Sequence, residues 1–154
     1  MILRNTKKGL EPISTNVTTL HSGTSRKEIQ PGGLVAIGTS LDPSITKSDS
    51  LLGNVIGKPG TLPPVWERFN VKTTLLERVV GTKNVRDMDE IKTKEPLMIT
   101  VGTRTTVGVP ITVREDIVDI KLTIPVCAPI GQRIALSRRV DGKWHLIGYG
   151  IIEE

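Results

Sequence analysis

Cysteine and histidine are scarce in this sequence, which contains one cysteine and two histidines. Cys127 alone cannot form an internal disulfide, and His21 and His145 are too few to complete a zinc site with it. We therefore predict neither a disulfide nor a metal site. Cys127 lies in the apolar run 124–128, which indicates packing in a core rather than a nucleophilic role.

Long apolar runs are also absent from the sequence. No stretch approaches the roughly 18 apolar residues that a membrane-spanning helix needs, and the apolar part of the chain start is too short for a signal peptide. These absences predict a cytoplasmic protein with no membrane partner. Aromatic residues make up only 3% of the chain, which argues against a platform that stacks unpaired bases.

No catalytic constellation can be assembled from the residues present. The two histidines fall in different predicted modules, which leaves no basis for a Ser-His-Asp triad. The acidic stretches 87–90 and 115–116 each lie beside an arginine, and solvated charge explains them better than acid–base chemistry. We therefore assign no catalytic residue.

The composition that is present favours β-structure. Val, Ile, Leu and Thr are interrupted by 15 glycines and 10 prolines, which is typical of short strands joined by tight turns. We predict an all-β fold. The net charge of +5 and the pI near 9.6 favour a polyanionic partner, and contact with the backbone of structured RNA fits best.

A boundary is predicted at 61–65, because Pro63 and Pro64 cannot donate hydrogen bonds to a sheet. It divides the chain into modules at 1–62 and 63–154. In the first module we predict strands at 13–20, 33–38 and 51–56 and a turn at 41–44. Three strands are few for a closed barrel, so this module is expected to be a partial β-barrel.

The second module has the stronger period-two pattern. Predicted strands lie at 71–76, 97–101, 118–124, 133–140 and 144–151, and about six strands would form a small complete barrel. Asp141-Gly142 predicts a tight hairpin between the last two. The polar segment 82–94 predicts a loop.

Two stretches of the first module imitate GTPase signatures. Residues 53–59 (GNVIGKP) have three residues between their glycines, and Pro59 follows the lysine. A phosphate loop needs four residues there and then Ser or Thr to hold Mg²⁺. Residues 46–49 (TKSD) look like a base-specificity motif, but no phosphate loop precedes them. Both stretches therefore predict turns, with no nucleotide-binding residue.

An ordered series of segments carries more information than any single motif. The segments are EPIST at 11–15, PGGLVAIGT at 31–39, LDPSITKSD at 41–49, LERVVGT at 76–82, IALSRR at 134–139 and WHLIGYGII at 144–152. Together they resemble the gamma subunit of archaeal and eukaryotic translation initiation factor 2, with the archaeal form closest.

In that family a GTP-binding domain precedes two β-barrels that are similar to those of elongation factor Tu. The resemblance implies that residues 1–62 are the later strands of the second domain (domain II) and that 63–154 are the whole third domain (domain III). The GTP-binding domain has no counterpart here. We therefore expect the chain to lack enzymatic activity and to hold no cofactor. In this family GTP and Mg²⁺ are bound by the full-length protein.

The resemblance also implies partners, namely methionylated initiator tRNA, the alpha subunit and the small ribosomal subunit. The beta subunit binds through the GTP-binding domain. The loop 21–30 is expected near the tRNA acceptor end and the alpha subunit, which makes His21, Arg26 and Lys27 candidate contacts. A second candidate group for RNA phosphates flanks the last hairpin. It consists of Arg138, Arg139 and Lys143.

Three hypotheses remain open at this level. The chain is either a non-catalytic binding piece of the factor, or the truncated product of a gene that encodes a real GTPase. A third hypothesis is an independent RNA-binding β-barrel protein derived from a translation factor. Solvated charge is the simpler explanation for His21, Arg26 and Lys27. It explains Arg138, Arg139 and Lys143 at least as well as RNA contact does.

Overall fold

Nearly all regular structure in residues 2–6, 9–30, 33–77 and 89–154, which the computed structural model describes, is β-strand. The all-β prediction is therefore confirmed. The chain divides into two units, 1–61 and 62–154, which differ in how their sheets close.

The first unit holds two open antiparallel sheets. One is a two-stranded hairpin and the other has three strands in the order β4-β3-β5. The strands are β1 (Ile2–Thr6), β2 (Gly9–Ile13), β3 (Val17–Ser22), β4 (Thr24–Arg26) and β5 (Ala36–Thr39). Two predicted strands are thus too long: 13–20 is interrupted at 14–16, and 33–38 is regular only from Ala36.

The predicted turn at 41–44 is wrong, because a short helix, α1 (Pro43–Thr46), begins there. The side chain of Asp42 caps this helix by accepting a hydrogen bond from the Ser44 amide at 2.8 Å. Pro43 occupies the first helical position, where its missing N–H is not needed. A 3-10 segment, Lys47–Asp49, follows.

The predicted strand at 51–56 is also wrong. The amides of Leu52 and Asn54 donate to carbonyls three residues earlier, at 2.9 and 3.1 Å, and therefore form turns rather than a ladder. Gly53 has φ +74°, which a strand does not allow. Only Ile56 makes an isolated β-bridge. An apolar run was mistaken here for a buried strand.

The second unit is a closed antiparallel barrel of six strands in the order β10-β11-β6-β9-β8-β7, with β7 and β10 paired to complete the ring. The strands are β6 (Val65–Leu75), β7 (Leu97–Val101), β8 (Arg104–Arg114), β9 (Ile117–Cys127), β10 (Arg133–Val140) and β11 (Lys143–Glu153). The predicted closed barrel is therefore confirmed.

Strand β8 was missed in the sequence because Gly108 and Pro110 interrupt its apolar pattern. Pro110 lies where the β8–β9 register shifts, so its missing N–H falls at an irregular point of the ladder. A Cβ on Gly108 would lie 2.3 Å from Ile99 Cδ1, which shows that this glycine lets a core side chain approach the strand. Both residues fit a strand in this setting.

The hydrophobic core lies within the barrel. Among described side chains, every buried apolar residue falls between Phe69 and Ile152. The alternation predicted for β9 is confirmed, because Val118, Ile120 and Leu122 are at most 6% exposed. The intervening Asp119 and Lys121 therefore occupy the outer face of the sheet.

The predicted hairpin between β10 and β11 is confirmed. Asp141 and Gly142 have φ of 49° and 81°, as a two-residue turn of this kind requires. Residues 82–88 of the predicted loop at 82–94 lie outside the described residues. Residues 89–94 contain neither helix nor strand.

Candidate nucleic-acid interface

The β3–β4 hairpin carries the first group of predicted contact residues. Gly23 turns the chain with φ +73°, and Ser22 pairs with Thr24 on either side of it. His21 lies on the central strand, Arg26 ends the edge strand, and Lys27 follows it. All three are exposed to solvent.

The strand register separates His21 from Arg26. His21 pairs with Ser25 and Ala36, whereas Arg26 pairs with Leu20, which in turn pairs with Ile37. Paired residues share a sheet face and neighbours along a strand alternate. His21 and Arg26 therefore lie on opposite faces of the sheet, so a single flat ligand cannot contact both side chains directly.

The face of the sheet that carries Arg26 also carries an apolar hollow of about 360 Å³. Val17 and Ile37, 57% and 42% exposed, form part of its wall. Lys58 stands at the same hollow. The first unit thus offers an apolar surface beside basic side chains, an arrangement that suits a partner protein as well as RNA.

Arg138, in the second predicted group, is occupied by contacts within the barrel. Its guanidinium forms an ion pair with Glu95, and it donates to the carbonyls of Asp89 and Glu90 at 3.0 and 2.9 Å. Only 13% of the side chain is exposed. These contacts attach the segment 89–95 to β10 and leave the guanidinium little capacity for RNA.

Arg139 and Lys143 are exposed near the β10–β11 turn but do not point the same way. Arg139 pairs with Trp144, whereas Lys143 pairs with Val140 on the opposite face. Arg139 Nε donates to the Gly142 carbonyl at 3.3 Å. Trp144, 38% exposed, is an aromatic neighbour of Arg139 that the sequence reasoning did not consider.

Cys127 ends β9 and is half-buried rather than part of the innermost core. Its thiol donates to the Pro63 carbonyl at 3.2 Å, and burial raises the pKa of the thiol. A raised pKa disfavours the thiolate, which is the nucleophilic form. The structural role predicted for Cys127 therefore fits its surroundings.

Comparison with known proteins identifies the family to which the barrel is similar. A family model described as "Initiation factor eIF2 gamma, C terminal" matches residues 67–152, more than half of the chain. The chain belongs to this family. The resemblance predicted from the sequence segments is therefore confirmed.

Relatives extend the similarity over both units. The translation initiation factor 2 subunit gamma of Methanothermobacter thermautotrophicus is 58% identical over 140 residues, covering 91% of this chain and 34% of that protein. The protein of the same name from Methanocaldococcus jannaschii is 51% identical over 144 residues, covering 93% of this chain and 35% of that protein. The chain spans about a third of the length of the curated relatives it matches.

Of the two GTPase-like stretches, 53–59 ends in a turn as predicted, whereas the turn predicted at 46–49 is wrong. Residues 46–49 include the end of α1 and the 3-10 segment, and the Asp49 carbonyl accepts from the Leu52 amide. After Gly53, the chain reaches a turn in which the Thr61 amide donates to the Lys58 carbonyl at 3.1 Å. In the described part of 53–77, no helix follows that could present its N-terminus to a phosphate.

Within the described residues, no three His, Cys, Asp or Glu side chains lie close enough together to hold a metal ion. No helix among those residues is both long enough and apolar enough to cross a membrane.

Proposed function

We propose that this chain supplies non-catalytic binding surfaces of a translation initiation factor 2 gamma subunit. The observation that carries the proposal is the coincidence of the closed barrel, β6–β11, with the family's C-terminal model at 67–152. In this proposal residues 63–154 are the third domain of the factor. Residues 1–62 are the later part of its second domain.

The proposed partners are initiator tRNA, the alpha subunit and the small ribosomal subunit, in the cytoplasm. On the first unit, Arg26 and Lys27 would contact tRNA phosphates or the alpha subunit, with His21 serving the other face of the sheet. On the barrel, Arg139 and Lys143 would meet phosphates of ribosomal RNA. These side chains are exposed, and the chain is basic overall at +5.

The proposal includes no GTP hydrolysis and no cofactor within this chain. Gly53 and Lys58 have the wrong spacing for a phosphate loop, and Pro59 supplies neither hydroxyl nor N–H. A fluorescent guanine nucleotide titrated against the purified chain should therefore show no saturable signal. Saturable binding in the micromolar range would contradict this part of the proposal.

The tRNA contact is tested by measuring affinity for methionylated initiator tRNA at several salt concentrations. Arg26→Ala and Lys27→Ala should each weaken binding and reduce the slope of log affinity against log salt by about 1. Lys47→Ala, an exposed lysine in the same unit, is the matched control and should leave the slope unchanged. If the parent, Arg26→Ala, Lys27→Ala and Lys47→Ala chains all give the same slope, Arg26 and Lys27 do not contact the tRNA phosphates.

A further inference from the structure

Strands β6, β9 and β8 place their outward-facing residues in a regular grid on the barrel surface. Each row crosses the three strands in that order. The rows are Arg68–Lys121–Val109, Asn70–Asp119–Thr112 and Lys72–Ile117–Arg114. Neighbouring strands in a sheet lie about 4.8 Å apart, and alternate residues along a strand about 7 Å apart. Side chains from all three rows can therefore act on one small ligand.

Charged side chains surround this grid. Arg68, Lys72, Arg114 and Lys121, which we call the basic face, occupy its edges, and the single carboxylate in the grid is Asp119 at the centre. Asp116, in the turn after β8, lies 3.4 Å from Lys72. Glu153 pairs with Asn70 on the neighbouring strand, and the main chain of Glu154 accepts a hydrogen bond from Asn70. Among the described residues, the cations of this face without an ion pair are Arg114 and Lys121.

A hollow of about 330 Å³ opens within the grid. Its wall consists of Arg68, Asn70, Thr112, Arg114, Ile117 and Asp119. A water molecule takes about 30 Å³ in the liquid, so the hollow has room for an oxyanion and several waters. Ile117, 40% exposed, adds an aliphatic side chain to this wall.

Arg68 is held in position by Asp119. Its Nε donates to Asp119 Oδ1 at 2.7 Å, and its Nη2 donates to Asp119 Oδ2. Hydrogen bonding from Arg68 is the main reason that the pKa of Asp119 lies below its usual value. The carboxylate therefore stays ionised and offsets one positive charge. A guanidinium has five N–H donors, so three remain for another acceptor.

Arg114 supplies charge that the barrel does not neutralise. It is exposed at the end of β8, and no ion pair or hydrogen bond of its side chain is found among the described residues. Asn70 Nδ2 donates to a main-chain carboxylate oxygen of Glu154, the last residue of the chain, at 2.8 Å, which fixes the amide at the hollow and leaves its second N–H available. Thr112 adds a hydroxyl.

We propose that this hollow binds a phosphate-type oxyanion. Arg114 provides the uncompensated charge, Arg68 provides donors held in place by Asp119, and Asn70 and Thr112 complete the set. Guanidinium forks match the geometry of phosphate oxygens. The anion is either a phosphate of an RNA backbone or a free phosphate or polyphosphate. This site goes beyond the proposed function, because neither tRNA nor the alpha subunit is needed to form it.

The test is a titration of the full chain with inorganic pyrophosphate, followed through the arginine Nε–Hε signals in ¹⁵N NMR spectra. The Nε–Hε signals of Arg68 and Arg114 should shift, and the shift should reach a plateau as pyrophosphate is added. Arg114→Ala should weaken binding about tenfold, the effect of one contact to a charged group. Arg114→Lys should weaken it less. Arg133→Ala, an exposed arginine on β10 outside the hollow, is the control and should bind pyrophosphate as the parent does.

Two further arms identify the source of the anion. A short RNA duplex that shifts the same two signals more strongly than pyrophosphate would assign the site to a nucleic-acid backbone. A stronger shift with pyrophosphate would assign it to a free anion. The proposal is overturned if pyrophosphate gives no saturable shift, or if the Arg114→Ala chain binds like the parent. It is also overturned if poly-glutamate saturates the site at lower concentration than pyrophosphate, because the ligand would then be an acidic protein segment.

Discussion

Replacing Arg138 with alanine separates a structural role for this residue from a role in RNA binding. The guanidinium pairs with Glu95 and donates to the carbonyls of Asp89 and Glu90. Removing one partner of a fully buried ion pair costs about 3–5 kcal/mol. Because 13% of Arg138 and 20% of Glu95 remain exposed, we expect the free energy of unfolding to fall by about 2 kcal/mol.

Denaturant unfolding followed by tryptophan fluorescence measures this loss selectively, because Trp66 and Trp144 both lie in the barrel. A loss of about 2 kcal/mol corresponds to a Tm lower by roughly 8–16 °C for a domain of this size. Arg139→Ala, the exposed neighbour, should change stability by less than about 0.5 kcal/mol. If Arg138→Ala leaves stability unchanged but weakens RNA binding, the structural interpretation is refuted.

Three further predictions concern stability. Ile120→Ala removes a side chain that is fully buried and should cost the barrel about 2–5 kcal/mol in denaturant unfolding; a smaller loss would show that the core adapts around the site. Because the folded-state pKa of Asp119 is lowered, chiefly by hydrogen bonding from Arg68, its ion pair stabilises the fold above the unfolded-state pKa of about 3.9. That contribution disappears as the pH falls through the lower folded-state pKa, so parent and Asp119→Asn should differ in unfolding free energy at neutral pH and converge in acid. Amide hydrogen exchange should be faster in the open sheets of 2–61 than in the closed barrel, and equal protection would contradict this ranking.

Local patterns in the sequence were sufficient to predict most of the barrel. Val118, Ile120 and Leu122 alternate with polar residues, and such an alternation with period two indicates a strand with one buried face. Asp141-Gly142 defines its turn because both positions need positive φ. Where glycine and proline break the pattern, as in β8, the strand could not be predicted, because its irregular pairing depends on β9.

The errors in the first unit have a local cause. Residues 51–56 are apolar, but turns around Gly53 use their amides, and an apolar run alone does not distinguish a strand from a turn. Asp42 before Pro43 is a helix-start signal that could have been recognised in the sequence.

The functional surfaces were harder to predict because they depend on strand register. Arg138 was grouped with Arg139 by sequence position, but its partner Glu95 lies 43 residues away. Neighbours along a strand point to opposite faces, which likewise separates His21 from Arg26. The basic face brings together Arg68, Arg114 and Lys121 from three strands, and no spacing in the sequence reveals their proximity.

Isothermal titration of the purified chain with the alpha subunit of an archaeal initiation factor 2 tests the central claim most directly. Binding should be saturable and one-to-one, and Arg139→Ala, on the barrel, should bind like the parent. The contradicting result is an absence of heat with the alpha subunit in a chain that binds structured RNA. That result would identify an independent RNA-binding barrel protein rather than a binding piece of the factor.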